Sequence, residues 1–177
     1  PIANNLERDK NESIVAEKIP LILGKCNSDC NHVQIVDRVD QNKIFDEYFY
    51  VSSVSTTLSD HLSNIALELH EKFSLDENSF VVDIGSNDGT FLNAVKTYTT
   101  KFLGIDPAKN LSDFANKNGL TTLNAFFGSD VAQDVVNTRG KSDYIVSTNT
   151  FAHTPKIRDF IKGLKVMLSS DGVGLIE

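Results

Sequence analysis

The fold of this chain is decided by one stretch of sequence, Phe80-Val81-Val82-Asp83-Ile84-Gly85-Ser86-Asn87-Asp88-Gly89-Thr90-Phe91-Leu92. Apolar, mostly β-branched residues run into an acid and a glycine, and a second glycine follows where a helix-like pattern begins. This sequence is typical of a buried parallel strand that ends at its carboxyl edge and turns tightly into a helix. Glycine permits left-handed backbone conformations and lets a ligand approach the main chain. We therefore predict a ligand-binding turn between Gly85 and Gly89, at the positive end of the helix.

The spacing of acids and glycines in this turn indicates the kind of ligand. A dinucleotide-binding turn follows G-x-G-x-x-G and places a pyrophosphate on the helix N-terminus. Here the pattern is D-x-G-x-x-x-G, and Asp83 and Asp88 flank the turn. Two carboxylates would repel a pyrophosphate and favour a ligand that carries an ammonium and a sulfonium group. The turn thus predicts an S-adenosylmethionine site, and the alternative is a βα turn of some other doubly wound protein.

Length and charge exclude several classes of function. At 177 residues the chain is about one domain, or one domain with an appendage. The net charge is −7 and no basic cluster occurs, so nucleic acid is not an expected partner. No apolar run approaches the ~20 residues that span a bilayer, so we expect a cytoplasmic protein with no membrane partner. The chain begins without methionine and stops at Glu177, which suggests a piece of a longer protein.

Residues 1–50 carry few regular patterns, and we predict an irregular segment there. Within it Cys26 and Cys30 stand close to His32, and thiolate and imidazole are the usual ligands of zinc. A structural zinc site needs four ligands, and no second cysteine pair is present. Two interpretations stay open, a partial zinc-binding segment and two ordinary thiols.

An aromatic and hydroxyl-rich segment precedes a predicted helix over 57–73. Apolar residues recur at helical spacing there, and Thr56 or Thr57 is the expected cap. In the preceding segment, Tyr48 and Tyr50 are either packing residues or residues that, with the neighbouring hydroxyls, close over a cofactor and substrate. His61 could face the sheet or solvent.

From residue 80 onward, strand-like and helix-like patterns alternate. They predict strands over 80–84, 102–106, 121–126, 143–148 and 172–176, with helices over 89–98, 108–117, 129–138 and 155–168. Alternation of this kind predicts an α/β fold with a Rossmann-like, doubly wound, mostly parallel sheet in a domain over 51–177.

Candidate ligand-binding residues follow the predicted strands, where open α/β sheets bind ligands. Asp106, with Pro107 behind it, comes 21 residues after Gly85 and matches the acid that accepts hydrogen bonds from a ribose. Phe126 would flank an adenine or belong to the core. Asn149 and His153 follow the fourth strand, and a histidine beside the crevice is a candidate for acid–base work.

With these residues in place, the chain resembles the bacterial sugar C-methyltransferases, which act on nucleotide-linked 4-keto-deoxysugars. The resemblance covers nearly the whole chain, and it is carried in the family's order by 48–55, 61, 83–89, 104–110 and 149–153. It implies an S-adenosylmethionine-dependent enzyme that methylates carbon through an enolate of a nucleotide-sugar substrate. It matches Asp83, Gly85, Asn87 and Gly89 to the cofactor loop, Asp106 to the ribose partner, Tyr48 or Tyr50 with Ser52 and Ser53 to an aromatic–serine segment of the active site, and His153 to a histidine near the sugar. Together with the positions after the predicted strands, the expected cofactor-binding residues are Asp83, Gly85, Ser86, Asn87, Gly89, Asp106, Pro107, Phe126, Asn149, Ser52 and Ser53, and the expected catalytic residues are His153, Tyr48 and Tyr50.

The chain also departs from that family. Members of that family open with a four-cysteine zinc domain. In this chain only its second cysteine pair, Cys26 and Cys30, is present, and the first pair would lie before Pro1. A Tyr-His-Glu-His segment linked to proton abstraction, and a C-terminal sugar-binding domain, would lie beyond Glu177. The alternatives are a small-molecule O- or N-methyltransferase and a binding module without turnover. A nicotinamide-dependent oxidoreductase is opposed by Asp88 and by the missing third glycine.

Overall fold

The computed structural model describes residues 20–37, 39–45 and 48–177, so the start of the predicted zinc segment lies outside the described residues. The chain divides into two compact units, Pro1–Tyr50 and Val51–Glu177. In the first unit, strands β1 (Leu23–Lys25) and β2 (Val33–Ile35) pair as an antiparallel hairpin, and a short helix α1 (Gln41–Phe45) follows. The prediction of an irregular segment missed α1, because a helix of five residues without buried side chains has no apolar period.

The second unit opens with a 3₁₀ turn (Ser52–Val54) and helix α2 (Thr56–Phe73). The prediction of a threonine cap is wrong. Ser55 has extended backbone angles, and its side chain accepts a hydrogen bond from Leu58 N at 3.3 Å, so Thr56 is already helical. The buried face of α2 has the expected helical spacing and consists of Leu62, Ile65, Ala66 and Leu69.

Five strands form the sheet of the second unit, and every neighbouring pair is parallel. They are β3 (Val81–Ile84), β4 (Phe102–Asp106), β5 (Thr122–Asn124), β6 (Ser142–Ser147) and β7 (Leu168–Ile176), in the order β5-β4-β3-β6-β7. The predicted α/β, Rossmann-like fold with a parallel sheet is thus confirmed. The last strand begins four residues earlier than predicted, and its pairing with β6 shifts register between Ser142 and Tyr144.

Helices cover both faces of this sheet. They are α3 (Thr90–Val95), α4 (Lys109–Lys117), α5 (Ser129–Arg139) and α6 (Ile157–Met167), with a 3₁₀ turn (Phe151–His153) before α6. Val81 packs in one apolar cluster with residues of α2, α3 and α4, whereas Val82 and Ile84 pack in a second one with α5 and α6. Successive side chains of a strand point to opposite faces, so a strand covered on both faces is apolar throughout.

The order of the strands fixes where a ligand can bind. From β3 the chain moves outward to β4 and β5, then returns to β6 on the other side of β3. Open α/β sheets bind their ligands outside the carboxyl ends of the strands at such a reversal. The turns after β3, β4 and β6 meet there. Across the described ranges, no helix is both long and apolar enough to cross a membrane.

Candidate functional site

The turn between β3 and α3 begins and ends at a glycine, and Gly89 N donates a backbone hydrogen bond to Ser86 O at 2.9 Å across it. Gly85 and Gly89 have φ values of +80° and +85°, in the left-handed region that favours glycine. A Cβ on Gly85 would lie 1.9 Å from Thr150 Oγ1, and one on Gly89 would lie 2.5 Å from Leu120 Cδ1. The side chains of Thr150 and Leu120 therefore occupy the space that a Cβ on each glycine would take. Packing and backbone conformation require both glycines, and their contact with a cofactor stays a prediction.

Two buried carboxyl groups stand at the carboxyl ends of β3 and β4. Asp83 is 3% exposed and Asp106 is 6% exposed. Asp106 accepts hydrogen bonds from Asn87 N and Ala108 N, both at 2.8 Å. Burial raises the pKa of Asp106 nevertheless. Burial, with the charge of Asp106 adding to it, raises the pKa of Asp83 to about 8, and no hydrogen bond offsets this.

Asp88 does not flank the ligand side of the turn as we interpreted it from the sequence. It is 4% exposed, and its Oδ1 accepts hydrogen bonds from Thr90 Oγ1 at 2.6 Å and from Thr90 N at 3.3 Å. Its Oδ2 accepts a hydrogen bond from Ser53 N at 3.2 Å. Asp88 thus organises the start of α3, whereas Asp83 and Asp106 are the buried carboxyl groups near the ends of β3 and β4.

The 3₁₀ turn that precedes α2 is attached to the glycine turn. Asn87, whose φ is +52°, accepts hydrogen bonds on Oδ1 from Ser52 N and Asp88 N, both at 2.9 Å. With the bond from Ser53 N to Asp88, two consecutive amides hold this segment in place. The structure therefore brings Ser52 and Ser53 to the predicted cofactor turn, and it does so through backbone amides.

Ser86, Pro107 and Phe126 occupy different surroundings. The Ser86 hydroxyl is buried and has no hydrogen-bond partner, and it lies against β4 where Gly104 leaves room, 2.5 Å from the place of a Cβ. Pro107 is half-buried directly after β4. Phe126 is 39% exposed beyond the end of β5, whereas the ring of Phe127 packs edge-on against Phe160 at 4.9 Å. Of the two phenylalanines, only Phe127 belongs to the core.

The turn after β6 carries Asn149, which we predicted to contact the cofactor, and His153, which we predicted to act in catalysis. Asn149 is exposed with a φ of +53°, and its N–H donates to Glu177 O at 3.1 Å. His153 is exposed, and its N–H donates to Thr150 O at 2.9 Å. Since Thr150 also covers Gly85, this turn is in contact with the glycine turn. Asn149 and His153 therefore lie at the carboxyl edge, and their roles stay predictions.

One hydrogen bond between two side chains at the edge of the sheet was not predicted. His61 Nε2 of α2 lies 2.8 Å from Glu177 Oε2, just beyond β7, and both side chains are about half exposed. The two residues are 116 positions apart in the sequence. No local pattern marks such a contact, and the covering of Gly85 by Thr150 has no sequence signal either.

The first unit contains the remaining predicted residues. Cys26 and Cys30 are free thiols in and after the turn of the β1–β2 hairpin, and a backbone hydrogen bond with His32 lowers the pKa of Cys30. Over 20–37, 39–45 and 48–177, no group of three or more His, Cys, Asp or Glu is placed to hold a metal, so zinc is not supported. The ring of Tyr48 lies 5.4 Å from that of Phe45. The catalytic roles of Tyr48 and Tyr50 stay predictions.

Comparison with known proteins identifies the second unit. Residues 82–173, just over half of the chain, match the family described as a methyltransferase domain. The chain belongs to this methyltransferase domain family. It is also 27% identical over its full length to the C-methyltransferase NovU of Streptomyces niveus. The chain spans 42% of the length of NovU.

Solved structures show the same fold. One is assigned as an S-adenosyl-L-methionine-dependent methyltransferase of Methanococcus maripaludis, with a TM-score of 0.55 and 21% identity over 71% of this chain and 59% of that one. Another is a SAM-dependent methyltransferase of Thiobacillus denitrificans in complex with S-adenosyl-L-homocysteine, with a TM-score of 0.50 and 20% identity, covering 66% of this chain and 47% of that one. The methyltransferase domain of this chain therefore has the fold of SAM-dependent methyltransferases.

Proposed function

We propose that this methyltransferase domain uses S-adenosylmethionine to methylate a carbon atom of a nucleotide-linked 4-keto-deoxysugar. The observation that carries the proposal is the pair of buried carboxyls, Asp83 and Asp106, at the ends of adjacent parallel strands. The likeness to a C-methyltransferase over the full chain and the order of the sugar-enzyme motifs support carbon as the acceptor.

The cofactor side of the proposal follows from the hydrogen-bonding capacity of the two acids. The Asp83 carboxyl has no partner within the described chain and would bind the ammonium group. Each oxygen of Asp106 accepts one amide hydrogen bond, which leaves a lone pair on each for the hydroxyls of a ribose. Phe126, exposed beyond the end of β5, would flank the adenine. When bound, the cofactor supplies a methyl group on a sulfonium centre.

The acceptor side of the proposal uses the turn after β6. A 4-keto group acidifies the neighbouring C3–H, and a general base must remove that proton to form an enolate. His153, exposed on this turn, would stabilise the enolate oxygen or carry the proton. The resemblance to the sugar enzymes also gives Tyr48 and Tyr50 catalytic roles. Holding the carbon at near-attack distance accounts for up to ~7–11 kcal/mol of the barrier in favourable cases.

Calorimetric titration of the purified chain with S-adenosylhomocysteine, and separately with NADH, tests the cofactor assignment. We expect binding of S-adenosylhomocysteine alone, and weaker binding by Asp106→Ala because the ribose loses its acceptor. Asp113→Ala removes an exposed acid of α4 and serves as the matched control. Binding of NADH in preference, or no effect of Asp106→Ala, would contradict the assignment.

A second experiment tests the acceptor. The protein is incubated with S-adenosylmethionine and a nucleotide-linked 4-keto-deoxysugar, and the product is located by NMR. A new C–CH₃ group is the expected result. A methyl group on oxygen or nitrogen would favour a small-molecule O- or N-methyltransferase, and cofactor binding without turnover would favour a binding module.

A further inference from the structure

Asp83 combines burial with a lack of partners. It is 3% exposed, and within the described chain its carboxyl accepts no hydrogen bond and faces no cation. Beside it in the sheet stand Gly104 of β4 and Val146 of β6, which carry no charge. The charged groups nearby are both acids: Asp106 at the end of β4, and Asp88 in the following turn, which is bonded to amide and hydroxyl groups.

The helices on this face of the sheet bring no compensating charge. Asp83 shares its face with Val81, which packs against α2, α3 and α4. Helix α3 contains no charged side chain. On α2, His61 is half exposed and pairs with Glu177, and on α4 the exposed Lys109 pairs with Asp113 at 2.7 Å. A carboxylate at Asp83 would therefore be buried without an opposite charge, which strongly favours the protonated form.

The two acids are not equivalent in this respect. Asp106 receives amide hydrogen bonds from Asn87 and Ala108, and such bonds favour the charged form of a carboxyl group. Asp83 receives none. When two neighbouring carboxyls share a site, the one without donors holds the proton. By this rule, Asp83 would hold the proton when no cofactor is bound.

We propose that Asp83 is a neutral carboxylic acid in the cofactor-free protein and gives up its proton when the ammonium group of the cofactor binds. This inference rests on the proposed cofactor. The O–H bond of Asp83 breaks and its proton passes to the buffer. The ammonium group keeps its own protons and donates a charge-assisted hydrogen bond to the resulting carboxylate. When the amino-acid end of the cofactor binds, its ammonium group thus replaces the proton of Asp83.

Such an exchange makes affinity depend on pH in a defined direction. Because the pKa of Asp83 is raised to about 8, ionising it costs free energy at every lower pH. Below that value we expect the dissociation constant for S-adenosylhomocysteine to decrease by up to about tenfold for each unit by which the pH rises, and above it we expect the constant to level off. Methylthioadenosine has no ammonium group, so its affinity should not follow this slope.

Calorimetry in two buffers of different ionisation enthalpy measures the released proton directly. At about pH 6.5 we expect S-adenosylhomocysteine to release about one proton per molecule bound, and methylthioadenosine to release none. Asp83→Asn should bind S-adenosylhomocysteine without proton release and without the pH slope. Asp113→Asn, which removes an exposed acid, should behave like the parent chain.

The outcomes separate this inference from the proposed function. Binding of S-adenosylhomocysteine without proton release, or with equal release by Asp83→Asn, would overturn the inference and leave the cofactor assignment standing. No binding by the folded chain would overturn both. If Asp83→Asn fails to fold, the two ligands compared on the parent chain still decide, because equal proton release with methylthioadenosine excludes the ammonium group as the cause.

Discussion

The turns after β3 and β6 contact each other through Gly85 and Thr150, but they are built differently. In the first turn, residues 86–89 are buried. The carboxyl group of Asp88 and the side-chain oxygen of Asn87 accept hydrogen bonds from other groups of the chain. In the second, Asn149 and His153 are exposed. The glycine turn is thus part of the folded core, whereas the turn after β6 lies on its surface. Substitutions in the first turn should cost stability, and those in the second should cost chemistry alone.

Gly85→Ala should have the largest effect on stability. The new Cβ would sit at a left-handed φ and 1.9 Å from Thr150 Oγ1, so the two turns would be forced apart. Strain and overpacking together should remove about 3 kcal/mol or more from the free energy of unfolding, measured by urea denaturation.

Gly119→Ala is the matched control for this change. Gly119 has a φ of +75°, and the nearest atom to its missing Cβ is Lys96 Nζ at 3.9 Å, so Gly119→Ala measures the backbone strain without the clash. Thr150→Gly in the Gly85→Ala background should recover part of the loss. Equal destabilisation by Gly85→Ala and Gly119→Ala would mean that the contact between the two turns is unimportant.

Asn87→Gly should have the next largest effect. Glycine keeps the left-handed backbone but removes the oxygen that accepts from Ser52 N and Asp88 N. The loss should be about 1–3 kcal/mol, and hydrogen exchange of the Ser52 amide should become faster. Ser74→Gly, at a left-handed position that ends α2, should not destabilise. Unchanged exchange at Ser52 would refute the attachment of this segment.

Asp83→Asn should change the pH dependence of stability. The pKa of Asp83 is raised from 3.8 to about 8, so folding takes up a proton between these values and the parent chain loses stability as pH rises through them. Asparagine does not ionise. The melting temperature of the variant, relative to that of the parent, should therefore rise from about pH 4 to about pH 8, and the difference should stay constant above about pH 8. Parallel curves, like those expected for Asp113→Asn, would argue against the raised pKa.

His153→Gln should have the smallest effect on stability and a large one on catalysis. Because the side chain is exposed, the free energy of unfolding should change by less than about 0.5 kcal/mol, and cofactor affinity should be unaffected. Methyl transfer by the whole enzyme should fall by about 10²–10⁴-fold if His153 does acid–base work. Ala152→Ser, in the same exposed turn, is the control. Full activity of His153→Gln would remove this residue from the mechanism.

The same contrast explains what the sequence could predict. The strands and their order along the chain were predictable because apolar runs end in an acid or a glycine, as at Asp83 and Asp106. The start of β7 was not, because Leu168 continues the apolar period of α6 and the shift in register is set by pairing with β6. Local patterns locate elements well, and they do not contain the geometry of the pairing.

In the candidate site, the missed features depend on contacts distant in sequence. Asp88 was correctly seen as an acid in the turn, but a charge does not reveal whether its partner is a ligand or the amide of Ser53, 35 positions earlier. The pair of His61 with Glu177 spans 116 positions. Residue type predicted which groups can act in the site, and only the fold shows which of them are already engaged.

The central place of β3 in the sheet also bears on how the protein is made. On one side β3 can pair with β4 as soon as that strand leaves the ribosome. On the other side it must wait for β6, whose Ser147 donates a hydrogen bond to Ile84 O from 63 residues further along. Synthesis proceeds at about 5–20 residues per second, so this apolar edge stays open for several seconds in each new chain. The strand that leads into the glycine turn is therefore open to wrong partners along one edge until β6 has been synthesised.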